Sequence, residues 1–232
     1  MSKVKERPIL FSAPMVRAIL SGQKTVTRRA LKVQPHIDVS GNFCVGGANY
    51  GQDIYGKPVT KHFVSSHCPY GQPGDRLWLR ETWYCDHLQV LSGPYLKPED
   101  LDVVEAREDG TLVYAADGLA PYEAEQPAWK PSIHMPRWAS RILLEITDVR
   151  VERLQEGDGE TAFESRYVAE GIHRIHHGDG DYYFHPFKDE PGPGNWSDPF
   201  DAWRELWVSI NGAESWNANP WVWVVEFKRV TP

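Results

Sequence analysis

The sequence predicts an α+β protein built on a bent barrel of strands, and three observations point there. Short apolar runs with period-two alternation recur from Arg76 to the C-terminal end. Gly- and Pro-rich turn signals separate them, and one long segment, 199–210, carries a clear helical period. Strands of mixed spacing with few long helices do not make a doubly wound sheet. No internal repeat and no two-domain linker stands out. Residues 1–232 therefore read as one domain with insertions at 36–67, 85–128 and 173–197.

The elements follow in chain order. Ser12-Ala13-Pro14 opens a short helix through MVRAIL, and Gly22 suits its end. Met15 with Ile19 and Val16 with Leu20 give it one apolar face. Gln23–Arg29 then runs as a basic strand or extended turn. Residues 36–68 carry Gly, Asn and Ser without a sustained period and read as loop or hairpin. The dense turn PYGQPGD leads into RLWLRETWY, a strand over Arg76–Tyr84 with Leu77, Leu79 and Glu81 on one side. Ser140–Leu154 and Trp221–Arg229 are further strands. A helix is expected over Glu160–Ala169, and a Gly-, Pro- and His-rich lid over 173–197. Asp198-Pro199 starts the long helix, which should bury Trp203 and Leu206.

Composition excludes several function classes. No apolar run reaches the roughly 20 residues of a membrane span, and the N-terminus lacks the apolar core of a secretory signal. The reading is cytoplasmic, with no membrane and no obligate protein partner. Cys44, Cys68 and Cys85 form neither a CxxC pair nor an even framework, so they read as thiols. The net charge of -7 argues against a protein coated in nucleic acid. Residues 1–80, however, hold 12 Lys and Arg against 4 Asp and Glu, while the remainder holds 13 against 28. A basic third inside an acidic chain can form a local electropositive cleft.

Common cofactor and hydrolase signatures are absent, and no cofactor is expected. His173, His176, His177 and His185 lie in a loop without metal-ligand spacing, so no metal is expected. The densest polar cluster is Gly22-Gln23-Lys24-Thr25-Val26-Thr27-Arg28-Arg29. It reads as a charged strand edge or as chemistry. Thr27 offers a hydroxyl, Lys24 a base if burial or nearby cations depress its pKa, and the arginines a phosphate grip. A spacing of three is awkward on a flat strand, since side chains alternate. Lys24 and Thr27 converge only if the chain bends between them, so a helix-to-strand bend or bulge is expected at Lys24–Thr27, with both side chains facing the cleft. Arg76, Arg80 and Glu81 suit either a structural ion pair or ligand contacts. His134 and Arg137, near Trp129 and Trp138, suit a packed loop or a binding rim.

The blocks RPILFSAPMVRAILSGQKTVTRR, CPYGQPGDRLWLRETW, WKPSIHMPRWASRILLEITDVRVERLQ, VAEGI and NPWVWVVEFKR together resemble the phage-type ASCH-domain family. The resemblance implies a PUA-like fold, a small bent barrel with rim helices, shared with RNA-modifying and modified-base-reading proteins. Some members remove the acetyl group from acetylated cytidine with a Lys, a Thr three residues on, and a distant Glu. The matching positions are Lys24, Thr27 and Glu170. The implied partner is RNA or a modified nucleoside. Two functions stay open: an amidohydrolase of N4-acylated cytidine with Thr27 as nucleophile, or a module that only binds, through Arg28, Arg29, Arg76, Arg80, Glu81, His134 and Arg137. A ribonuclease and a structural phage component are further alternatives. Only the enzyme needs Lys24, Thr27 and Glu170 to converge.

Overall fold

The structure is a computed structural model and describes residues 4–118, 129–157, 159, 165–178 and 180–230. In chain order the strands are β1 (Glu6–Leu10), β2 (Val26–Ala30), β3 (His36–Ile37), β4 (Phe43–Val45), β5 (Ala48–Gly51), β6 (Arg76–Arg80), β7 (Trp83–Cys85), β8 (Leu112–Tyr114), β9 (Leu143–Arg153), β10 (His173–His176), β11 (Tyr182–His185) and β12 (Trp221–Val230). The helices are α1 (Ala13–Leu20), α2 (Lys61–His67), α3 (Leu88–Leu91), α4 (Val103–Glu108), α5 (Pro199–Asn211) and α6 (Ala213–Asn217). The fold is α+β. Among the described residues no sheet closes into a barrel.

The chain divides into two compact units. The first comprises Met1–Gly22, Gly74–Glu145 and Lys228–Pro232; the second comprises Gln23–Pro73 and Ile146–Phe227.

In the first unit β1 runs parallel to β6, with Ile9 opposite Leu79, and the start of β9 pairs antiparallel with β6. Leu77 and Leu79 are fully buried, as alternation requires, while Trp78 on the other face is half-buried. The expected Arg76–Tyr84 strand is two strands, because the chain breaks at Glu81-Thr82 and β7 joins β8 instead. Asp102 caps α4 by accepting from the amides of Val104 and Glu105. Trp83, Val90, Leu112, Tyr114 and Met135 form one apolar cluster under this segment.

In the second unit the strand order is β9, β12, β2, and β2 is an edge strand. The 36–67 insertion holds more than the loop or hairpin expected: β3, β4 and β5 form an antiparallel sheet, followed by α2. Phe43 anchors it, fully buried and edge-on to Phe63 and Trp221. Such non-local ring packing stabilises strands too short to stand alone. Helix α5 starts at Pro199 with Asp198 accepting from the Phe200 amide, and it buries Trp203 and Leu206. The 173–197 segment is not a bare lid; β10 and β11 pair in it with His173 opposite His185. Half of the helix expected over Glu160–Ala169, residues 160–164, lies outside the described residues. The described half is not α-helical: 165–167 form a turn that leads into the 3-10 turn Val168–Glu170.

Candidate functional site

The second unit buries a charged centre built on Lys24 and Glu170. Lys24 sits between α1 and β2, after Gly22 has turned the chain with φ +79. The Thr25 amide donates to the Ala169 carbonyl at 2.9 Å, which brings the turn Val168–Glu170 against it. Gly171 ends that turn at φ +96, a conformation in which a side chain would be strained.

Lys24 Nζ, completely buried, donates to Glu170 Oε2 at 2.7 Å and to the Glu170 carbonyl at 2.7 Å. Arg28 Nη1 donates to the other carboxylate oxygen, Oε1, at 2.9 Å. One carboxylate thus holds two buried cations. Burial depresses the Lys24 pKa, Glu170 opposes this, and Arg29 and Arg28 add to the depression.

Charge continues outward from Arg28. Its guanidinium lies over the rings of Tyr167, at 5.2 Å, and Trp203, at 5.8 Å. Arg28 Nη2 lies 3.7 Å from Glu152 and makes no hydrogen bond among the described residues. Glu152 also accepts from Arg166 at 3.1 Å and from Arg150, which reaches Glu226 and Asp148 as well. Four cations and four carboxylates alternate. A cavity of about 240 Å³ opens beside them, lined by Thr25, Val26, Arg28, Arg150, Arg166, Ala169 and Glu226.

Thr27 is elsewhere. Strand β2 pairs with β12 so that Arg28 faces Val224 and Thr27 faces Val225. Adjacent strand residues point to opposite faces. Thr27 is buried on the face of Arg29 and Trp223, away from Arg28. No hydrogen bond joins its hydroxyl to Lys24 or Glu170 among the described residues. The structure therefore brings together two of the three residues that the resemblance singled out. Arg29 sits opposite Trp223, and its charge acts on Tyr70, whose hydroxyl burial pushes upward.

Five further candidates belong to the first unit. Glu81 is buried and gripped by both arms of Arg141, at 3.0 and 3.1 Å. Burial draws its carboxyl above the usual range, and Arg141 draws it back. Arg141 also donates to Asp117 and lies over Tyr114, so Glu81 sits in a packed ion-pair cluster. Arg76 and Arg137 share the Glu6 carboxylate. Arg80 donates to the Met135 carbonyl at 2.9 Å and, like Arg137, lies over Trp78. His134 is exposed beside Tyr95.

Sequence reasoning missed Arg150, Glu152, Arg166 and Glu226. A signal existed for two of them: Arg150 and Glu152 are two apart in an alternating strand and so share a face. Among the described residues no group of three His, Cys, Asp or Glu side chains is placed to hold a metal ion, and no helix is long and apolar enough to cross a membrane.

No family model, no curated protein and no solved structure matches the chain.

Depression of the Lys24 pKa has a measurable sign. Below the ordinary value of 10.5 the unfolded chain binds this proton more tightly than the folded one. Stability must therefore rise with pH through the window between the depressed value and 10.5. Lys24→Met lacks this slope. The stability of the native chain relative to the variant is expected to grow as pH is raised through the alkaline range. Denaturant unfolding at a series of pH values checks it; a flat difference would mean that Glu170 cancels the effect of burial.

Proposed function

We propose that the chain handles RNA or a modified nucleoside as a PUA-like protein of the ASCH type, and that its charged centre binds one base without turning it over. The family and its bent-barrel fold rest on the five sequence blocks. The observation that carries the binding reading is the position of Thr27, outside both the Lys24–Glu170–Arg28 network and the cavity beside it.

The cavity also limits the ligand. Its 240 Å³ falls below the roughly 300–1,000 Å³ of drug-sized sites, which suits one small ring. Its arginines are already neutralised by carboxylates, so a phosphate would have to displace them. A neutral, hydrogen-bonding base edge fits better: Arg150 and Arg166 are donors at the wall, and Glu226 is an acceptor. Buried polar groups reward a ligand that completes their hydrogen bonds and reject one that does not.

Titration of acylated and unmodified nucleosides by calorimetry, with mass spectrometry of the same mixtures, tests this. Binding is expected without turnover. Affinity should change less than about threefold between about 50 and 200 mM salt, the effect of one full phosphate contact on a single strand. Arg166→Ala should weaken binding about tenfold or more, the cost of one charge-assisted hydrogen bond, while Thr27→Ala leaves it intact.

A second reading, hydrolysis of N4-acylated cytidine, is favoured by the depressed pKa of Lys24, which eases its use as a base. Thr27 would attack the acyl carbonyl, and Lys24 would pass the hydroxyl proton to the leaving exocyclic amine. Water would then release the acyl group. Turnover that Thr27→Ala abolishes would establish this reading; absence of both binding and turnover for every nucleoside would defeat both.

A further inference from the structure

The second unit carries another cavity, on the other face of the β2–β12 ladder. It measures about 440 Å³, within the range of ligand sites. Leu31 and Trp223 line it from the ladder, Gly46 and Gly47 from the β4–β5 turn, and Phe63 and His67 from α2. The rings are ordered. Phe63 is parallel to Trp223 within 10° and to His67 within 14°, with centroids 5.2 and 5.0 Å apart, and Tyr50 meets Phe63 edge-on at 5.4 Å. Phe63 and Trp223 are buried in this stack, while Tyr50 and His67 keep exposed ring surface at the cavity wall, where a flat, apolar ligand meets aromatic surface.

Charge narrows the ligand. Lys32 lines the cavity and is exposed, and His67 is exposed too. Lys24 and Arg28 are held by Glu170 on the opposite face, so the positive charge at this cavity comes from Lys32, the cation in its lining. That cation attracts an anion, while the ring-lined wall requires a flat apolar body. A nucleotide has both: a base to stack and a phosphate to leave at the rim.

We propose that this cavity is a base-stacking site for a nucleotide, separate from the charged centre. The proposal deepens the nucleoside-handling reading and rests on it: two base sites on the two faces of an edge strand suit a single strand passing over that edge. One mononucleotide cannot fill both.

The β4–β5 turn supplies a clean test. Gly46 has φ +57 and Gly47 does not share the left-handed conformation, the pattern of a turn that needs glycine only at its first position. A Cβ at Gly47 meets nothing within 4 Å. Gly47 lines the cavity, so Gly47→Leu is expected to narrow it without straining the backbone, and Tyr50→Ala should remove part of its wall. The probes are the four 5′-nucleoside monophosphates, cytidine, and a mixed-sequence tetranucleotide, titrated by calorimetry, with thermal unfolding of each variant as the control for folding. Both variants are expected to weaken the monophosphates and the tetranucleotide by about 5- to 150-fold, the value of one base–aromatic stack, with unfolding unchanged in Gly47→Leu and cooperative, at a lower midpoint, in Tyr50→Ala, which loses its contacts with Phe43 and Phe63. Lys32→Gln should weaken the monophosphates and spare cytidine. If only the tetranucleotide binds, the ligand is a strand; if the monophosphates bind equally well, it is a free nucleotide. Nucleotide binding that both folded variants retain in full would overturn the proposal while leaving the charged centre untouched. Binding that Arg166→Ala weakens and Gly47→Leu does not would assign all recognition to the other face. No binding of any probe would defeat the nucleoside reading as a whole.

Discussion

Replacing Glu170 with alanine is expected to destabilise the protein by about 3–5 kcal/mol, the cost of stranding buried charge by removing one partner. The cause is specific. Lys24 and Arg28 have side chains at most 1% exposed, and both donate to this one carboxylate. Without it, Lys24 loses its carboxylate partner while its hydrogen bond to the backbone carbonyl of residue 170 remains, and Arg28 keeps Glu152 at 3.7 Å. In a chain of this size each kcal/mol lowers the unfolding temperature by about 2–4 °C, so a fall of about 10 °C is expected. Glu170→Gln should recover part of it, because the amide oxygen still accepts one hydrogen bond while the amide nitrogen faces a cation. The triple variant Lys24→Met, Arg28→Met, Glu170→Leu should unfold closer to the native chain than Glu170→Ala does, since apolar replacement of a whole buried charge group removes the desolvation cost along with the attraction. Equal losses in the single and triple variants would mean that lost packing, not stranded charge, sets the effect.

The same cluster shows what the sequence could and could not express. The frame was legible because period-two and helical-period runs report burial directly: β9, β12 and α5 agree with expectation to within about three residues at each end. The β3–β5 sheet was not, because its strands are two to four residues long and rich in Gly and Asn. It exists through Phe43 meeting Phe63 and Trp221, contacts between distant parts of the chain. In the charged centre the turn at Gly22 follows from local rules, whereas the bulge expected at Lys24–Thr27 does not form: β2 pairs with β12 in unbroken register, and Thr27 turns to the other face. The meeting of Lys24 with Glu170 spans 146 residues and leaves no local signal. Only the resemblance paired them. Arg166 is harder still, for nothing near it in sequence marks it as a neighbour of Glu152.

Trp203→Ala should cost about 3–5 kcal/mol, the range for truncating a large buried aromatic, whereas Trp203→Phe should cost much less. Trp203 is 3% exposed, stacks on Tyr167 at 5.7 Å with 15° between the planes, and packs against Trp207. Its indole Nε1 is buried and finds no acceptor among the described residues. Phenylalanine therefore keeps an apolar ring and discards an unsatisfied donor, an exchange that lowers the desolvation cost. Alanine opens a cavity under α5 and also removes one of the two rings beneath the Arg28 guanidinium. Tyr167, Glu170 and the more distant Glu152 would then have to hold Arg28. For that reason Trp203→Ala and Glu170→Ala should not be additive: each loosens the same guanidinium, and coupled neighbours show interaction energies of about 0.5–3 kcal/mol. The double-mutant cycle, measured by denaturant unfolding, is expected to fall in that range. A coupling near zero would place Trp203 in the core alone, and Arg28 would then owe its position to Glu170 and Tyr167.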